Sequence, residues 1–275
     1  MSRNGTDATG DSPIIQLEDV HVTFKTRTGS LFKPNRVRAV AGVDVAVRSG
    51  ETLGIVGESG SGKSTTANVM CGLQLPTAGQ VYFKGEQVTK RSASQRRRIG
   101  RVVSVVFQDP ATALNARMVV RDQLMDPLRV HKVGTKDSRE ARVRDLISLV
   151  GLPDSVMNAL PGQLSGGQRQ RVAIARALAI QPDAIIADEP TSALDVSVRA
   201  QILNLLADLK DELGLAMVFI SHDIQTVRYI SDRIAVMNGG EIVEEGVATD
   251  VLTNPQHPYT RTLLGAAPSL LHPTS

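Results

Sequence analysis

One run of residues carries the plainest chemistry in this chain. Gly57, Glu58, Ser59, Gly60, Ser61, Gly62, Lys63 and Ser64 match the spacing G-x-x-x-x-G-K-S, a pattern that wraps backbone N–H groups around phosphate oxygens. Glycines let the backbone turn its amides inward, and a helix starting after the last glycine adds its positive end. Lys63 is placed to reach the β- and γ-phosphates, the Ser64 hydroxyl to ligate Mg²⁺, and Thr65 to join the same binding set. The pattern is far more specific than a lone G-x-G-x-x-G, because a lysine and a hydroxyl must follow the glycines.

A nucleoside triphosphate needs a second anchor for its metal. The run Ala184-Ile185-Ile186-Ala187-Asp188-Glu189 ends an apolar segment in two carboxylates. Burying an unpaired charge costs several kcal/mol, roughly, unless it is paired or liganded, so two adjacent acids at this point argue for a chemical task. Asp188 is expected near the magnesium ion or its water shell. Glu189 is expected to polarise the attacking water, or to take its proton, as the γ-phosphate is attacked.

These groups must be held by elements that the pattern also reveals. Residues 14–24 alternate as a strand, 25–38 are basic and broken by Gly29 and Pro34 and read as a loop, and 39–47 suggest a second strand. Residues 51–73 pass from a strand through the glycine turn into a helix. A hairpin is expected over 79–88 with its turn near Lys84 and Gly85, and a buried strand over 102–108. Val143, Leu146, Ile147 and Val150 make one apolar stripe at helical spacing, which Gly151 and Pro153 end. A helical run over 165–180, a strand over 184–190, an amphipathic helix over 198–213, a strand over 216–221, a hairpin over 234–246 and a short helix over 257–270 complete the reading. A parallel α/β core with a helical insertion fits this order.

Composition excludes several classes. Apolar residues at 41% and charged residues at 21% are ordinary for a globular protein. No run approaches the 18 or so apolar residues, roughly, that a bilayer span needs, and the first residues lack a secretory signal, so a cytosolic location is expected. The single cysteine, Cys71, allows no internal disulfide and reads as a small apolar residue. A net charge of +3 with no tryptophan does not favour a nucleic-acid binder. The basic cluster Arg96, Arg97, Arg98 and Arg101 reads as a solvated face beside the strand that follows. His21, His131 and His272 have no obvious companions for a metal site.

A family resemblance rests on the segments between these sites. Leu164-Ser165-Gly166-Gly167-Gln168, followed by Arg169-Gln170-Arg171, resembles the signature sequence of the ATP-binding-cassette ATPases. Gln108 resembles the family's glutamine loop, Ser192-Ala193-Leu194-Asp195 its aspartate loop, and His222 its switch histidine. Phe24 stands where the family stacks an aromatic ring on adenine. The resemblance covers residues 14–246. It implies an α/β P-loop NTPase with a RecA-like core, an antiparallel β subdomain and an inserted helical subdomain. The chain then divides into a disordered tail (1–13), the first part of the core with the β subdomain (14–108), the helical subdomain (109–163), the signature and second part of the core (164–246) and a C-terminal extension (247–275).

The resemblance also implies a mechanism. Two cassettes would sandwich two ATP molecules head to tail, with Ser165, Gly166, Gly167 and Gln168 completing the partner subunit's site and Asp195 joining the halves. His222 would contact the γ-phosphate and help hold Glu189 and the water. Gln108 would sense the metal and water and link them to the helical insertion. ATP and Mg²⁺ are the cofactors expected.

Finer likeness points to importers of di- and oligopeptides. Phe107-Gln108-Asp109-Pro110 with Ala113–Met118, and Asn254-Pro255-Gln256-His257-Pro258-Tyr259-Thr260-Arg261-Thr262-Leu263-Leu264, resemble segments of their ATPases. His257, Pro258 and Tyr259 are expected to dock the C-terminal helix. The likeness implies two membrane permease subunits, a second homologous ATPase (a homodimer being the other possibility), an extracytoplasmic binding protein reached indirectly, and a peripheral place on the cytoplasmic face of the cell membrane. Members of this group often carry a C-terminal cysteine cluster for an iron–sulfur centre. No cysteine follows Cys71, so no cluster is expected, and the end at residue 275 suggests the shorter of two ATPase subunits. A related nickel, sugar or opine importer, and a soluble ATPase of the same type without a transport role, remain alternatives. A DNA-maintenance ATPase would need long heptad arms, for which the segment between Gln108 and Leu164 is too short.

Overall fold

A computed structural model describes residues 12–26, 35–90, 92–109 and 113–266. The expected disordered start up to residue 11, residues 27–34 of the first loop, Pro110, and the tail from 267, which holds His272, lie outside the described residues.

Two sheets form the framework. Strands β1 (Ile15–Thr26), β2 (Asn35–Val47), β4 (Ala78–Phe83) and β5 (Glu86–Gln87) make an antiparallel sheet in the order β2-β1-β4-β5. The second sheet has the order β10-β9-β3-β8-β7-β6. Its strands are β3 (Thr52–Val56), β6 (Val103–Val106), β7 (Ala184–Asp188), β8 (Ala216–Ser221), β9 (Arg233–Asn238) and β10 (Glu241–Val247). The pairs β6–β7, β7–β8, β8–β3 and β3–β9 are parallel, and β10 returns antiparallel to β9.

The expected loop over 25–38 is shorter than read, because β2 already starts at Asn35 and continues β1's pairing. Basic residues such as Arg36 and Arg38 sit at the exposed end of a strand, where side-chain polarity does not disrupt backbone pairing. The expected hairpin turns at Lys84 and Gly85, both at positive φ (50° and 76°), as a two-residue turn requires.

The parallel sheet separates two cores, and its strands show why they read as apolar runs. Along β8, Met217 and Phe219 face one core while Ala216, Val218 and Ile220 face the other. Burial on both faces replaces polar alternation with continuous hydrophobicity. On one side α1 (Lys63–Met70) is packed between the sheets, with Ala67, Val69 and Met70 against Leu53, Ile55 and Val218. On the other side lie α5 (Gly166–Leu178), α6 (Val196–Leu213) and α7 (Ile224–Ile230).

That second core continues into a helical region made of α3 (Val120–Val130) and α4 (Lys136–Leu149), joined to the sheet through α5. The stripe read from spacing is buried there: Val143, Leu146, Ile147 and Val150 pack with Leu124, Leu128 and Val172. Thr135 caps α4 by accepting from Ser138 N while Ser138 Oγ accepts from Thr135 N, and Gly151, at φ 66°, follows its end.

The arginine cluster belongs to a helix that spacing did not reveal, α2 (Ala93–Val102), capped by Ser92 and burying Ile99. With one buried residue in ten, the helix has no apolar stripe to read. Arg98 pairs with Glu86, and Arg101 donates to His131 O at 2.9 Å. The chain closes with α8 (Ala248–Thr253) and α9 (Pro258–Ala266). Among the described residues no helix is long and apolar enough to cross a membrane.

Candidate nucleotide site

Strand register brings the chemical residues to one edge. Val56 pairs with Ser221 and Asp188 with Ile220, so β3, β7 and β8 end together. The glycine loop follows β3, the carboxylates close β7 and His222 follows β8. Ligands of open parallel sheets bind at this carboxyl edge. A cavity of about 630 Å³ opens here, lined by Ser59, Gly60, Gly62, Lys63, Ser64, Thr65, Gln108, Glu189 and His222, with Ala39 added from β2.

The glycine loop is shaped by its neighbours. Gly62 sits at φ 107° as the residue before α1, and a Cβ there would come within 2.5 Å of Ala39 O. At Gly57 a Cβ would meet Met237 O at 2.1 Å. Both ends of the loop are therefore pressed against backbone that cannot yield, whereas Gly60 (φ 83°) has open space. Lys63 is buried, and its Nζ donates to Gly57 O at 2.7 Å and Glu58 O at 2.8 Å. Burial holds its ammonium below the ordinary lysine range, opposed by the charges of Glu189, Asp188 and Glu58.

Glu189 adopts φ 47°, a conformation costing an acidic residue of this size about 1–3 kcal/mol. Three bonds hold it: its N–H donates to Ile220 O at 2.9 Å, and its C=O accepts from Ser192 N at 3.2 Å and Ser192 Oγ at 3.1 Å. The side chain meets His222, with Oε1 at 3.0 Å from Nδ1. A carboxylate facing the loop and fixed by an imidazole has the geometry of a base for a water molecule in the cavity.

Asp188 supplies a test of whether a divalent cation fits. Its Oδ1 is buried without a hydrogen-bond partner. Burial pushes its carboxyl above the usual range, with the Ser64 hydroxyl, then the Glu189 charge and the Lys63 ammonium as further influences; Glu189 adds to the rise, and Ser64 and Lys63 oppose it. An orphaned carboxylate oxygen beside a hydroxyl is an all-oxygen donor set that suits Mg²⁺, which takes its remaining ligands from water and phosphate. Among the described residues no group of three or more His, Cys, Asp or Glu could hold a metal by itself, so phosphate and water would complete such a site.

The remaining site residues lie elsewhere. Ser165, Gly166, Gly167 and Gln168 open α5 in a capping box: Ser165 Oγ accepts from Gln168 N at 3.2 Å and Gln168 Oε1 from Ser165 N at 2.9 Å. Gly167 lets α5 approach α6, since a Cβ there would meet Val198 Cγ1 at 2.7 Å. Asp195 caps α6, its Oδ1 accepting from Val198 N and Ser197 Oγ, each at 2.9 Å. These hydrogen bonds hold its carboxyl below the usual range, the Val198 amide most of all. Neither group lines the cavity beside the glycine loop. Phe24, on β1, is 43% exposed and also lies outside its lining. Cys71 is half-buried at the end of α1, and burial pushes its thiol up.

Two contributors escaped the sequence reading. Ala39 was read only as part of a strand, and no feature of its type marks it as a wall. Tyr259 was expected to dock the C-terminal helix; its Oη in addition accepts from Glu58 N at 3.2 Å, across 201 residues.

Comparison with known proteins adds to this geometry. A family model described as ABC transporter matches residues 40–192, and one described as oligopeptide/dipeptide transporter, C-terminal region, matches 243–275. The oligopeptide transport ATP-binding protein OppF of Lactococcus lactis subsp. lactis (strain IL1403) is 43% identical over 260 residues, covering 94% of this chain and 82% of OppF. The probable D,D-dipeptide transport ATP-binding protein DdpF of Escherichia coli (strain K12) is 47% identical over 261 residues, covering 94% and 80%. Among solved structures, a dimeric post-hydrolysis state of the ATP-binding cassette MJ0796 bound to ADP and Pi matches with TM-score 0.75 and 33% identity over 85% of this chain and 98% of that one.

Proposed function

This chain belongs to the ABC transporter family, and from that premise we propose that it is the ATP-hydrolysing subunit of a di- or oligopeptide importer. The observation that carries the cargo class is the C-terminal region: residues 243–275 match the model for that part of oligopeptide and dipeptide transporters. Relatives named for oligopeptide and D,D-dipeptide transport, aligned over 94% of the chain, support the same reading.

ATP is the substrate, and the residues divide the work. The loop from Gly57 to Thr65 binds the phosphates through its N–H groups and Lys63, with Phe24 against the adenine. Ser64, Asp188 and Gln108 would hold Mg²⁺, which when bound offsets phosphate charge. Glu189 takes the proton of the attacking water, and His222 fixes Glu189 from 3.0 Å while reaching for the γ-phosphate.

Ser165, Gly166, Gly167 and Gln168, at the start of α5, serve the site of a facing cassette, with Asp195 at the junction. Their position outside the phosphate cavity of their own chain supports this division. Two cassettes close while each triphosphate is held from both sides, and part when the γ-phosphate leaves. The helical part, residues 109–163, passes this movement to membrane permease subunits, which supply the path through the bilayer. Two permeases, a second homologous ATPase and an extracytoplasmic binding protein complete the machine, and the chain sits peripherally on the cytoplasmic face of the membrane.

The test is uptake of labelled di- and tripeptides by cells carrying the wild-type chain, Lys63→Ala, or no copy. Uptake that requires the chain and is lost in Lys63→Ala supports the proposal. Unchanged peptide uptake in all three, with another solute's uptake lost, transfers the subunit to a different importer.

A further inference from the structure

The C-terminal helix reaches back to the phosphate loop, and the contact has the form of a brace. Glu58, the second residue of the loop, donates its N–H to Tyr259 Oη at 3.2 Å, while its C=O accepts from Lys63 Nζ at 2.8 Å. The peptide group that joins Gly57 to Glu58 is thus tied at its N–H to the C-terminal segment and at its Gly57 oxygen, which accepts from Lys63 Nζ at 2.7 Å, to the phosphate-binding lysine. The Lys63 ammonium carries three N–H donors, so it can turn one of them to a bound phosphate whether it keeps or releases these carbonyls. The bond to Tyr259 does not involve the lysine and can persist through the change. On its other flank the loop is fixed through Ser61 O, which accepts from Gly240 N at 2.9 Å.

Tyr259 is itself fixed by a chain of contacts that begins on β10. The pairing of β10 with β9 shifts between Ile242 and Glu244, so Val243 is an extra residue and the strand bends there. The Glu244 carboxylate accepts from Gln256 N at 2.7 Å and His257 N at 3.0 Å. His257 Nδ1 then accepts from Tyr259 N at 3.2 Å, and Arg261 Nε donates to Pro255 O at 2.9 Å. The tyrosine ring and Leu263 pack against the larger core. Nothing in this arrangement touches the phosphate cavity directly, yet each link aims the Tyr259 hydroxyl at a loop amide.

We infer that Tyr259 is a positioning residue for ATP binding: held by Glu244 and His257, it pre-orders the Glu58 end of the phosphate loop. The C-terminal extension thereby sets the nucleotide affinity of the motor from outside the site. A loop ordered before binding loses less freedom when phosphate arrives, and the gain appears as affinity. The proposal rests on the phosphate-site reading above.

The experiment uses the purified full chain and its permease complex. Tyr259→Phe keeps the ring and its packing and removes the acceptor. The worth of one such bond bounds the effect of losing loop pre-order, so the ATP dissociation constant is expected to rise by about two- to five-fold, read by calorimetric titration. Hydrogen–deuterium exchange in the peptide spanning residues 57–64 is expected to quicken in the nucleotide-free protein, with the melting temperature lowered by no more than the roughly 2–4 °C that one bond is worth. In the complex, KM for ATP rises by a similar factor while kcat at saturation stays within about two-fold. Glu244→Gln, which loosens the anchor without touching loop or tyrosine, is expected to move affinity and exchange the same way by a smaller factor.

Lys63→Ala separates the two readings. If it leaves ATP affinity intact, the phosphate-site reading fails. If it abolishes affinity while Tyr259→Phe matches the wild type in affinity and loop exchange, the brace alone is overturned. Weakened ATP binding without faster loop exchange, or with a melting temperature lowered by more than about 4 °C in both Tyr259→Phe and Glu244→Gln, likewise overturns it.

Discussion

Replacing Glu189 by glutamine keeps the side chain's length and its place beside His222 while removing the charge that can accept a proton. The backbone has no reason to move: Ile220 O and both the amide and hydroxyl of Ser192 hold this residue at φ 47°, and an amide oxygen can still face His222 Nδ1 across 3.0 Å. What is lost is basicity toward water. Positioned bases contribute about 10²–10⁴ in rate, or about 2.7–5.4 kcal/mol at 1.36 kcal/mol per decade. ATP affinity is expected to hold or tighten slightly, because Lys63 and the loop amides are untouched and a negative charge near the γ-phosphate is gone. The assay is phosphate release at saturating ATP by the transporter complex, with ATP affinity measured on the same preparation. A kcat within about ten-fold of wild type, with normal affinity, would refute the assignment of Glu189 as the base. A large fall in affinity would instead make it a structural partner of the loop.

Other outcomes follow from the same geometry. Gly62→Ala must place a Cβ 2.5 Å from Ala39 O at φ 107°; with a left-handed conformation alone costing about 1–2 kcal/mol, ATP affinity measured by titration should fall more than about ten-fold, well beyond the effect of Gly60→Ala, where space is open. Gly167→Ala pushes on Val198 at the α5–α6 contact and should cost about 1–3 kcal/mol of local packing; ATP-dependent dimerisation of a Glu189→Gln background, followed by light scattering, should weaken while the single chain's ATP affinity stays normal. Leu146→Ala empties a fully buried position between α4 and its neighbours and should lower unfolding free energy by about 2–5 kcal/mol, read by urea denaturation. For Cys71, burial raises the thiol's pKa, so the reactive thiolate is scarce at pH 8; iodoacetamide labelling should be slow in the folded chain and rise sharply in denaturant.

The reach of the sequence differed by element for a physical reason. Strands β3, β7 and β8 and helices α4 to α6 were legible because both-face burial or a broad apolar stripe leaves its mark on residue type. Helix α2 escaped, since only Ile99 of its ten residues is buried. Helices α7 and α8 escaped because seven and six residues are too few to establish a period. The start of β2 was taken for loop because its basic residues sit where pairing alone, with no burial, makes the strand.

Residue identity and spacing by themselves determined the candidate phosphate loop, the paired carboxylates and the candidate base, because phosphate binding demands a contiguous local pattern of glycines, lysine and hydroxyl. Tertiary structure alone decided what meets what. Strand register placed His222 3.0 Å from Glu189 across 33 residues, and the same fold kept Ser165–Gln168 and Asp195 out of the lining of the cavity beside the glycine loop of their own chain. It also carried Tyr259 to Glu58 across 201 residues. Such contacts leave no periodic or local trace, since they are fixed by sheet order, a β-bulge and helix packing rather than by neighbours in the chain.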